Sequence, residues 1–226
     1  MNYRRIVPNS ISGLSLVFGI ISIFNAFEGN FFRASILIIL AVCADACDGR
    51  AARLLHCQAE FGVQLDSLCD LASFGVAPAV LIYQYSLHEL GLVGQVVAAL
   101  YAFWGAMRLA RFNVNTSVVH GYFQGMPIPA GACFLATYVL SGLQFPSLAV
   151  AVMTFVLGII LYSTVKFPDC KGKGNPLGPI KPVALVGGLL LGGYIVYLDF
   201  NAWPFALMAV YSGTGIVNFL LGMFVE

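Results

Sequence analysis

Residues 45–70 read DACDGRAARLLHCQAEFGVQLDSLCD, and this stretch joins two apolar segments of the chain. Its acidic residues form two pairs, because Asp45 and Asp48 end the first apolar segment while Asp66 and Asp70 begin the next. Spacings of three and four residues place each pair on one face of a helix. If the two segments cross a membrane as neighbouring antiparallel helices, the four carboxylates meet at one membrane edge.

The composition of the whole chain favours a membrane protein. Of its 226 residues, 60% are hydrophobic and only 9% are charged, whereas soluble domains average about 25% charged residues. The apolar residues lie in long runs, and about 20 such residues cross a bilayer as a helix. We therefore predict an all-α fold, a polytopic membrane helical bundle in one domain over residues 1–226. The eight predicted transmembrane spans are Pro8–Phe27, Phe31–Asp45, Ser67–Tyr85, Gly91–Ala106, Pro127–Gly142, Phe145–Leu161, Pro182–Leu198 and Trp203–Phe224.

The positions of the basic residues predict the orientation of these spans. With eight crossings, all Lys and Arg residues except Arg33 fall on one side of the membrane. Basic loops face the cytoplasm in membrane proteins, so both termini are expected there. The first span is expected to remain attached, because no small-residue cleavage site of the A-x-A type follows it before Phe31.

The four aspartates also indicate a chemistry. Converging carboxylates would repel one another unless cations lie between them. Oxygen-only ligands suit hard divalent ions such as Mg²⁺, Mn²⁺ or Ca²⁺, and two such ions can clamp a phosphoryl group during in-line displacement. The small residues Gly49, Ala52 and Gly62 leave space for a bulky ligand, and Arg53 offers a planar fork for a phosphate. The pattern predicts metal-assisted chemistry on a phosphorylated substrate that is reached from the cytosol.

The same residues form a recognisable motif. The segment reads Asp45-x-x-Asp48-Gly49-x-x-Ala52-Arg53, then eight residues, then Gly62-x-x-x-Asp66-x-x-x-Asp70. It resembles the signature of the CDP-alcohol phosphotransferase family at all eight defining positions. The resemblance implies a membrane enzyme, usually dimeric, that attacks the phosphate on the lipid side of a CDP-alcohol and releases CMP. It also implies a six-helix core, to which this chain adds two helices.

The family resemblance implies roles for individual residues. Two metal ions would be bound by Asp45, Asp48 and Asp66, and Asp70 would be the general base and a further ligand. The cytidine and diphosphate would be bordered by Gly49, Ala52, Arg53, Gly62 and Asn9.

Further segments resemble the phosphatidylserine synthase branch of this family. They are Pro8-Asn9, Asp66–Pro78, Arg108-Leu-Ala-Arg111-Phe-Asn113, Phe123–Pro129 and, more loosely, Ser163–Lys171. This resemblance implies CDP-diacylglycerol and L-serine as substrates, phosphatidylserine and CMP as products, and a homodimer in the cell membrane with its active site at the cytoplasmic face. No nucleic-acid partner is expected.

If the acceptor is serine, the basic residues of those segments have charged groups to bind. Arg108 and Arg111 are three residues apart at a predicted helix end, so one of them can pair bidentately with the serine carboxylate. The other, or Lys171, would bind the lipid phosphate or the diphosphate.

Other functions remain open at this point. Inositol phosphate, glycerol phosphate or choline would be alternative acceptors, and an archaeal ether lipid would be an alternative donor. A divalent-cation transporter would use the same aspartates differently, but it should place acidic residues in more of its spans. A catalytically silent relative would not be expected to keep the complete motif.

Overall fold

The computed structural model describes residues 3–54, 60–115, 122–164, 166–168 and 182–223. Within these ranges the chain forms a bundle of eight long helices and one short antiparallel ribbon. The helices are α1 (Tyr3–Phe27), α2 (Phe31–Leu54), α3 (Glu60–Tyr85), α4 (Leu92–Asn115), α5 (Ile128–Ser141), α6 (Ser147–Tyr162), α7 (Pro182–Leu198) and α8 (Trp203–Met223). Each of the eight apolar segments in the sequence is thus helical.

Four of the helices extend by five residues or more beyond the predicted spans, and the first of them, α1, begins at Tyr3 rather than Pro8. Helix α2 continues past Asp45 to Leu54, α3 begins at Glu60 rather than Ser67, and α4 ends at Asn115. The predicted ends were wrong because hydropathy locates the end of the apolar run, while backbone hydrogen bonding continues through the polar residues that follow. As a result, all four aspartates lie inside helices, which fixes their directions.

Several helices suit a bilayer. Among the described residues, three helical segments are long and apolar enough to cross a membrane, namely Asn9–Phe27, Glu60–Tyr85 and Leu92–Val114. Shorter apolar segments lie in α5, α6 and α7. Large apolar side chains such as Phe24 and Phe27 are exposed on the outside of the bundle, as expected of a surface that contacts lipid rather than water. The number of crossings and the side of each terminus remain predictions.

Short glycine turns connect consecutive helices. Gly29, between α1 and α2, has φ 77°, and Gly142, after α5, has φ 68°. Both angles lie in the left-handed region that glycine adopts without a steric penalty, and such a glycine commonly ends a helix. Tight turns of this kind make α1 and α2 an antiparallel pair, so the second half of α2 returns to the N-terminal half of α1.

Helix α3 is not a regular α-helix throughout. It is α-helical over Glu60–Asp70, a π-helix over Leu71–Val76 and α-helical again from Ala77. Pro78 explains the wide turn, because in an α-helix its ring would clash with the carbonyl four residues earlier and its missing N–H would leave that carbonyl without a donor. The π segment begins directly after Asp70, and π turns often occur at functional sites.

A short two-stranded ribbon accompanies the helices within the all-α fold that the sequence predicts. Strand β1 (Tyr122–Gln124) pairs antiparallel with β2 (Lys166–Pro168), with Phe123 opposite Phe167. Two three-residue strands from loops far apart in sequence give no periodic signal. The ribbon joins the loop after α4 to the loop after α6.

Glycines permit close helix contacts in two places. A Cβ at Gly19 in α1 would lie 2.7 Å from the Ser73 Cα in α3, so these two helices touch through their backbones. In the other pair, a Cβ at Gly188 or Gly192 in α7 would lie 2.5 Å from a side-chain methyl group of α8. The first contact joins α1 to the π segment of α3.

Candidate active site

Three aspartates meet between α2 and α3. One carboxylate oxygen each from Asp45, Asp48 and Asp66 lies within 4.8 Å of the other two. Asp45 and Asp48 are one turn apart on α2, and Asp66 faces them from the antiparallel α3. Asp48 is the most enclosed of the three, with 5% of its surface exposed. A set of hard oxygen donors at this spacing suits a divalent cation.

The fourth aspartate belongs to the same group. Asp70 follows Asp66 by one turn of α3, and its carboxyl group interacts with that of Asp45. It is also close enough to Asp48 and Asp66 for their charges to interact. The structure therefore brings together all four aspartates that the sequence placed in one site.

Helix α1 contributes a residue that the sequence analysis did not include in the site. The Ser12 hydroxyl donates a hydrogen bond of 2.6 Å to Oδ2 of Asp48, and both residues are buried. A hydrogen bond to a charged acceptor is stronger than one between neutral groups, so Ser12 fixes the orientation of this carboxylate. The signal available in the sequence was its position one helical turn after Asn9.

Asn9 and Gly62, which the family resemblance places together beside the cytidine and diphosphate, lie next to each other. A Cβ at Gly62 would stand 3.3 Å from Oδ1 of Asn9, a tight contact. The absence of a side chain at Gly62 therefore allows α1 to approach the first turn of α3. The surroundings of Gly49 and the side chains of Ala52 and Arg53 lie outside the described part of the structure, although α2 continues through their backbone.

Arg108 approaches the aspartates from α4. Its side chain is only 7% exposed, and its charge interacts with those of Asp70 and Arg111. Within the described residues, its buried Nε has no hydrogen-bond partner. A buried donor without a partner is costly, and a ligand that accepts a hydrogen bond there would remove that cost.

Arg111 has a different environment from Arg108. Its guanidinium donates to the Tyr162 carbonyl at 2.7 Å and to the Ser163 carbonyl at 2.9 Å. The same group lies over the Tyr162 ring, 4.7 Å from its centre. Arg111 therefore fastens α4 to the end of α6.

Gly125 packs against the same junction. It has φ 77°, and a Cβ there would collide with the Leu161 carbonyl and approach the Arg111 guanidinium at 3.1 Å. The next residue, Met126, donates its N–H to the Ile160 carbonyl at 3.3 Å. The glycine in the Phe123–Pro129 motif is thus explained by the close approach of three chain segments.

Asn113 joins α4 to α3 close to the aspartates. Its Nδ2 donates to the Ser67 hydroxyl at 2.9 Å, and Ser67 is adjacent to Asp66. This contact gives a structural role to the last residue of the Arg108–Asn113 motif. Lys171, the remaining basic candidate, lies outside the described residues.

An apolar helical bundle with four carboxylates gathered where its first three helices meet is typical of a membrane protein, and its acidic cluster is a candidate metal site. The family model for CDP-alcohol phosphatidyltransferase matches residues 5–162 of this chain. The chain belongs to the CDP-alcohol phosphatidyltransferase family. Family members depend on divalent metals, and the oxygen donors of Asp45, Asp48 and Asp66 fit such an ion.

Several named proteins are similar to this chain over about three quarters of its length. A CDP-diacylglycerol–serine O-phosphatidyltransferase of Helicobacter pylori is 36% identical over 178 residues, covering 76% of this chain and 75% of that protein. The Bacillus subtilis protein of the same name is 34% identical and covers 76% and 93%. An archaetidylserine synthase of Methanothermobacter thermautotrophicus is 34% identical and covers 77% and 76%.

Proposed function

We propose that this chain is a phosphatidylserine synthase, which transfers the phosphatidyl group of CDP-diacylglycerol to L-serine and releases CMP. The observation that supports this most is the convergence of Asp45, Asp48, Asp66 and Asp70 between α2 and α3, in a chain with the family's complete motif. The choice of serine rests on relatives named for that acceptor, which are similar over about three quarters of the chain.

The four aspartates are proposed to hold two divalent ions, either Mg²⁺ or Mn²⁺, with Ca²⁺ as a third candidate. When bound, the ions would offset the diphosphate charge and stabilise the charge that develops on the departing CMP oxygen. Ser12 holds the Asp48 carboxylate through the bond of 2.6 Å. The site is therefore partly organised before any ion binds.

The nucleotide is proposed to lie along the small-residue faces of α1, α2 and α3. The contact between Gly62 and Asn9 marks the border of this space. Gly49 and Ala52 would leave room for the cytidine, and Arg53 would pair with the diphosphate.

Asp70 is proposed as the general base. It would accept the proton of the serine hydroxyl as the oxygen attacks the phosphorus on the lipid side of the diphosphate. The new bond joins the serine oxygen to that phosphorus, and the bond from phosphorus to the CMP oxygen breaks. Direct displacement of this kind needs no covalent enzyme intermediate.

Arg108 is proposed as the ligand of the serine carboxylate. It is buried beside Asp70, with an Nε that has no partner among the described residues. A carboxylate bound there would place the hydroxyl of the same small molecule near the base. Arg111 is engaged by two backbone carbonyls and would support the site indirectly, while Lys171 remains a candidate for the lipid phosphate.

The protein is further proposed to be integral to the cell membrane, with the active site at the cytoplasmic face. The distribution of Lys and Arg residues supports this orientation. A homodimer is proposed from the family resemblance. Cross-linking in native membranes tests the dimer, and labelling of single cysteines in the connecting loops tests the orientation.

The decisive experiment measures CMP release by the purified protein in detergent with CDP-diacylglycerol, Mn²⁺ and a panel of alcohols. We expect release only when both the metal and serine are present, and none from Asp66→Asn. Asp199→Asn is the matched control, because Asp199 is outside the aspartate motif and accepts a bond from the Asn201 N–H in a turn before α8. Release with another alcohol alone would overturn serine as acceptor, and no release with any pair would overturn the enzyme assignment.

The donor lipid has a second candidate. The similarity to an archaetidylserine synthase supports a CDP-linked ether lipid as an alternative donor for the same reaction. Comparing kcat/KM for ester-linked and ether-linked CDP-lipids of equal chain length separates the two.

A further inference from the structure

The π segment Leu71–Val76 separates the first part of α3, which carries Asp66 and Asp70, from the rest of that helix. Its wide turn is visible in the Ala77 N–H, which bonds to the Ala72 carbonyl five residues earlier. A π turn accommodates one additional residue in the helix, and each residue turns an α-helix by about 100°. The segment therefore sets the rotation of Asp66 and Asp70 relative to the second half of α3.

Tyr101 of α4 stabilises this segment from one side. In a regular α-helix, residue 78 would donate its N–H to the Phe74 carbonyl, but Pro78 has no N–H. The Tyr101 hydroxyl instead donates to the Phe74 carbonyl at 3.3 Å. Tyr101 and Phe74 are both fully buried, so water does not compete for this carbonyl.

Ser73 stabilises the same segment from the other side. Its hydroxyl donates to the Ser15 carbonyl of α1 at 2.9 Å, where Gly19 allows the two backbones to touch. Ser15 lies one turn after Ser12, which bonds to the Asp48 carboxylate. Contacts of α1 therefore reach both the π segment of α3 and a carboxylate of α2.

We infer that the π segment of α3 positions Asp66 and Asp70 against Asp45 and Asp48. Tyr101 and Ser73, which hold this segment, are then positioning residues for the metal site. This inference rests on the proposed metal site. Neither Tyr101 nor Ser73 is proposed to touch the substrate. Loosening the segment should change metal binding, while the aspartates themselves remain intact.

The direct test measures Mn²⁺ binding by electron paramagnetic resonance of the free ion, using the purified full-length protein without substrate. Removing supporting hydrogen bonds around a metal site typically weakens affinity about 10- to 100-fold, and because Tyr101 acts through the backbone, we expect about tenfold for Tyr101→Phe. Tyr138→Phe is the control, since Tyr138 is equally buried and its hydroxyl accepts a bond of 3.4 Å from the Phe145 N–H. The control should bind Mn²⁺ as the wild type does.

Pro78→Ala separates positioning from folding stability. It restores an N–H to α3 and lets the π segment close into an α-helix, so the thermal unfolding midpoint should stay constant or rise while Mn²⁺ binding weakens. A purely structural role would instead move both quantities in the same direction.

The inference is overturned if wild-type Mn²⁺ affinity persists in Tyr101→Phe, or if Tyr138→Phe loses as much affinity. Should Tyr101→Phe not fold, unchanged Mn²⁺ affinity in Pro78→Ala overturns it. A wild-type protein that binds no Mn²⁺ would overturn the proposed metal site itself, and the inference with it.

Discussion

Replacement of Arg108 by lysine is the perturbation that tests the acceptor site most directly. Lysine keeps the positive charge but lacks the planar fork that binds a carboxylate through two parallel hydrogen bonds. Arg108 is 7% exposed, so water cannot readily substitute for a lost bond. A hydrogen bond to a charged group contributes about 1.5–3 kcal/mol, which corresponds to about a 10- to 150-fold change in an equilibrium constant. We expect the serine KM to rise by that factor.

The assay is steady-state CMP release with serine varied at saturating CDP-diacylglycerol, and then with the lipid varied. Arg111→Lys is the matched variant, because both arginines lie on α4 three residues apart and only Arg111 bonds to the carbonyls of Tyr162 and Ser163. It should lower thermal stability and change the serine KM less than Arg108→Lys does. An unchanged serine KM in Arg108→Lys, or an equal rise in the lipid KM, would refute the assignment.

Three further predictions concern Asp70 as the general base, the hydrogen bond from Ser12 to Asp48, and the packing of Gly125 against the end of α6. Asp70→Asn should reduce kcat for CMP release by at least about 100-fold, the lower end of what a general base contributes, and near-normal turnover with intact Mn²⁺ binding would exclude Asp70 as the base. Ser12→Ala should raise the Mn²⁺ concentration needed for half-maximal activity about tenfold through loss of the bond to Asp48; Ser10→Ala, an exposed position on the same helix, is its control. Gly125→Ala should destabilise the protein by more than the roughly 1–2 kcal/mol of left-handed backbone strain, because the added methyl group also meets the Leu161 carbonyl. An unchanged thermal unfolding midpoint would contradict this close contact.

The grouping of the aspartates between two helices could be predicted from the sequence because the information is local. Asp45 and Asp48 are one turn apart, as are Asp66 and Asp70, and a short polar crossing between two apolar runs leaves an antiparallel pair as the simple arrangement. The same reasoning found all eight helical segments. It misplaced several helix ends, since hydropathy changes before the backbone hydrogen bonding stops.

The supporting contacts could not be predicted because they depend on distances between remote parts of the chain. The bond from Ser12 to Asp48 spans 36 residues. From the sequence, Arg108 and Arg111 were equivalent candidates for the serine carboxylate. They differ in the structure because Arg111 donates to backbone carbonyls at the end of α6. The irregular turn before Pro78 is likewise completed by a remote group, because the Tyr101 hydroxyl comes from another helix.

The order of the site residues along the chain has a consequence for biosynthesis. Ser12 and the four aspartates lie within the first 70 residues, on three consecutive helices joined by short connections. Arg108 comes from α4 and enters the membrane later. The carboxylates of the proposed metal site therefore need only the first three helices in order to gather, whereas the arginine proposed to bind serine becomes available only after α4 has been inserted.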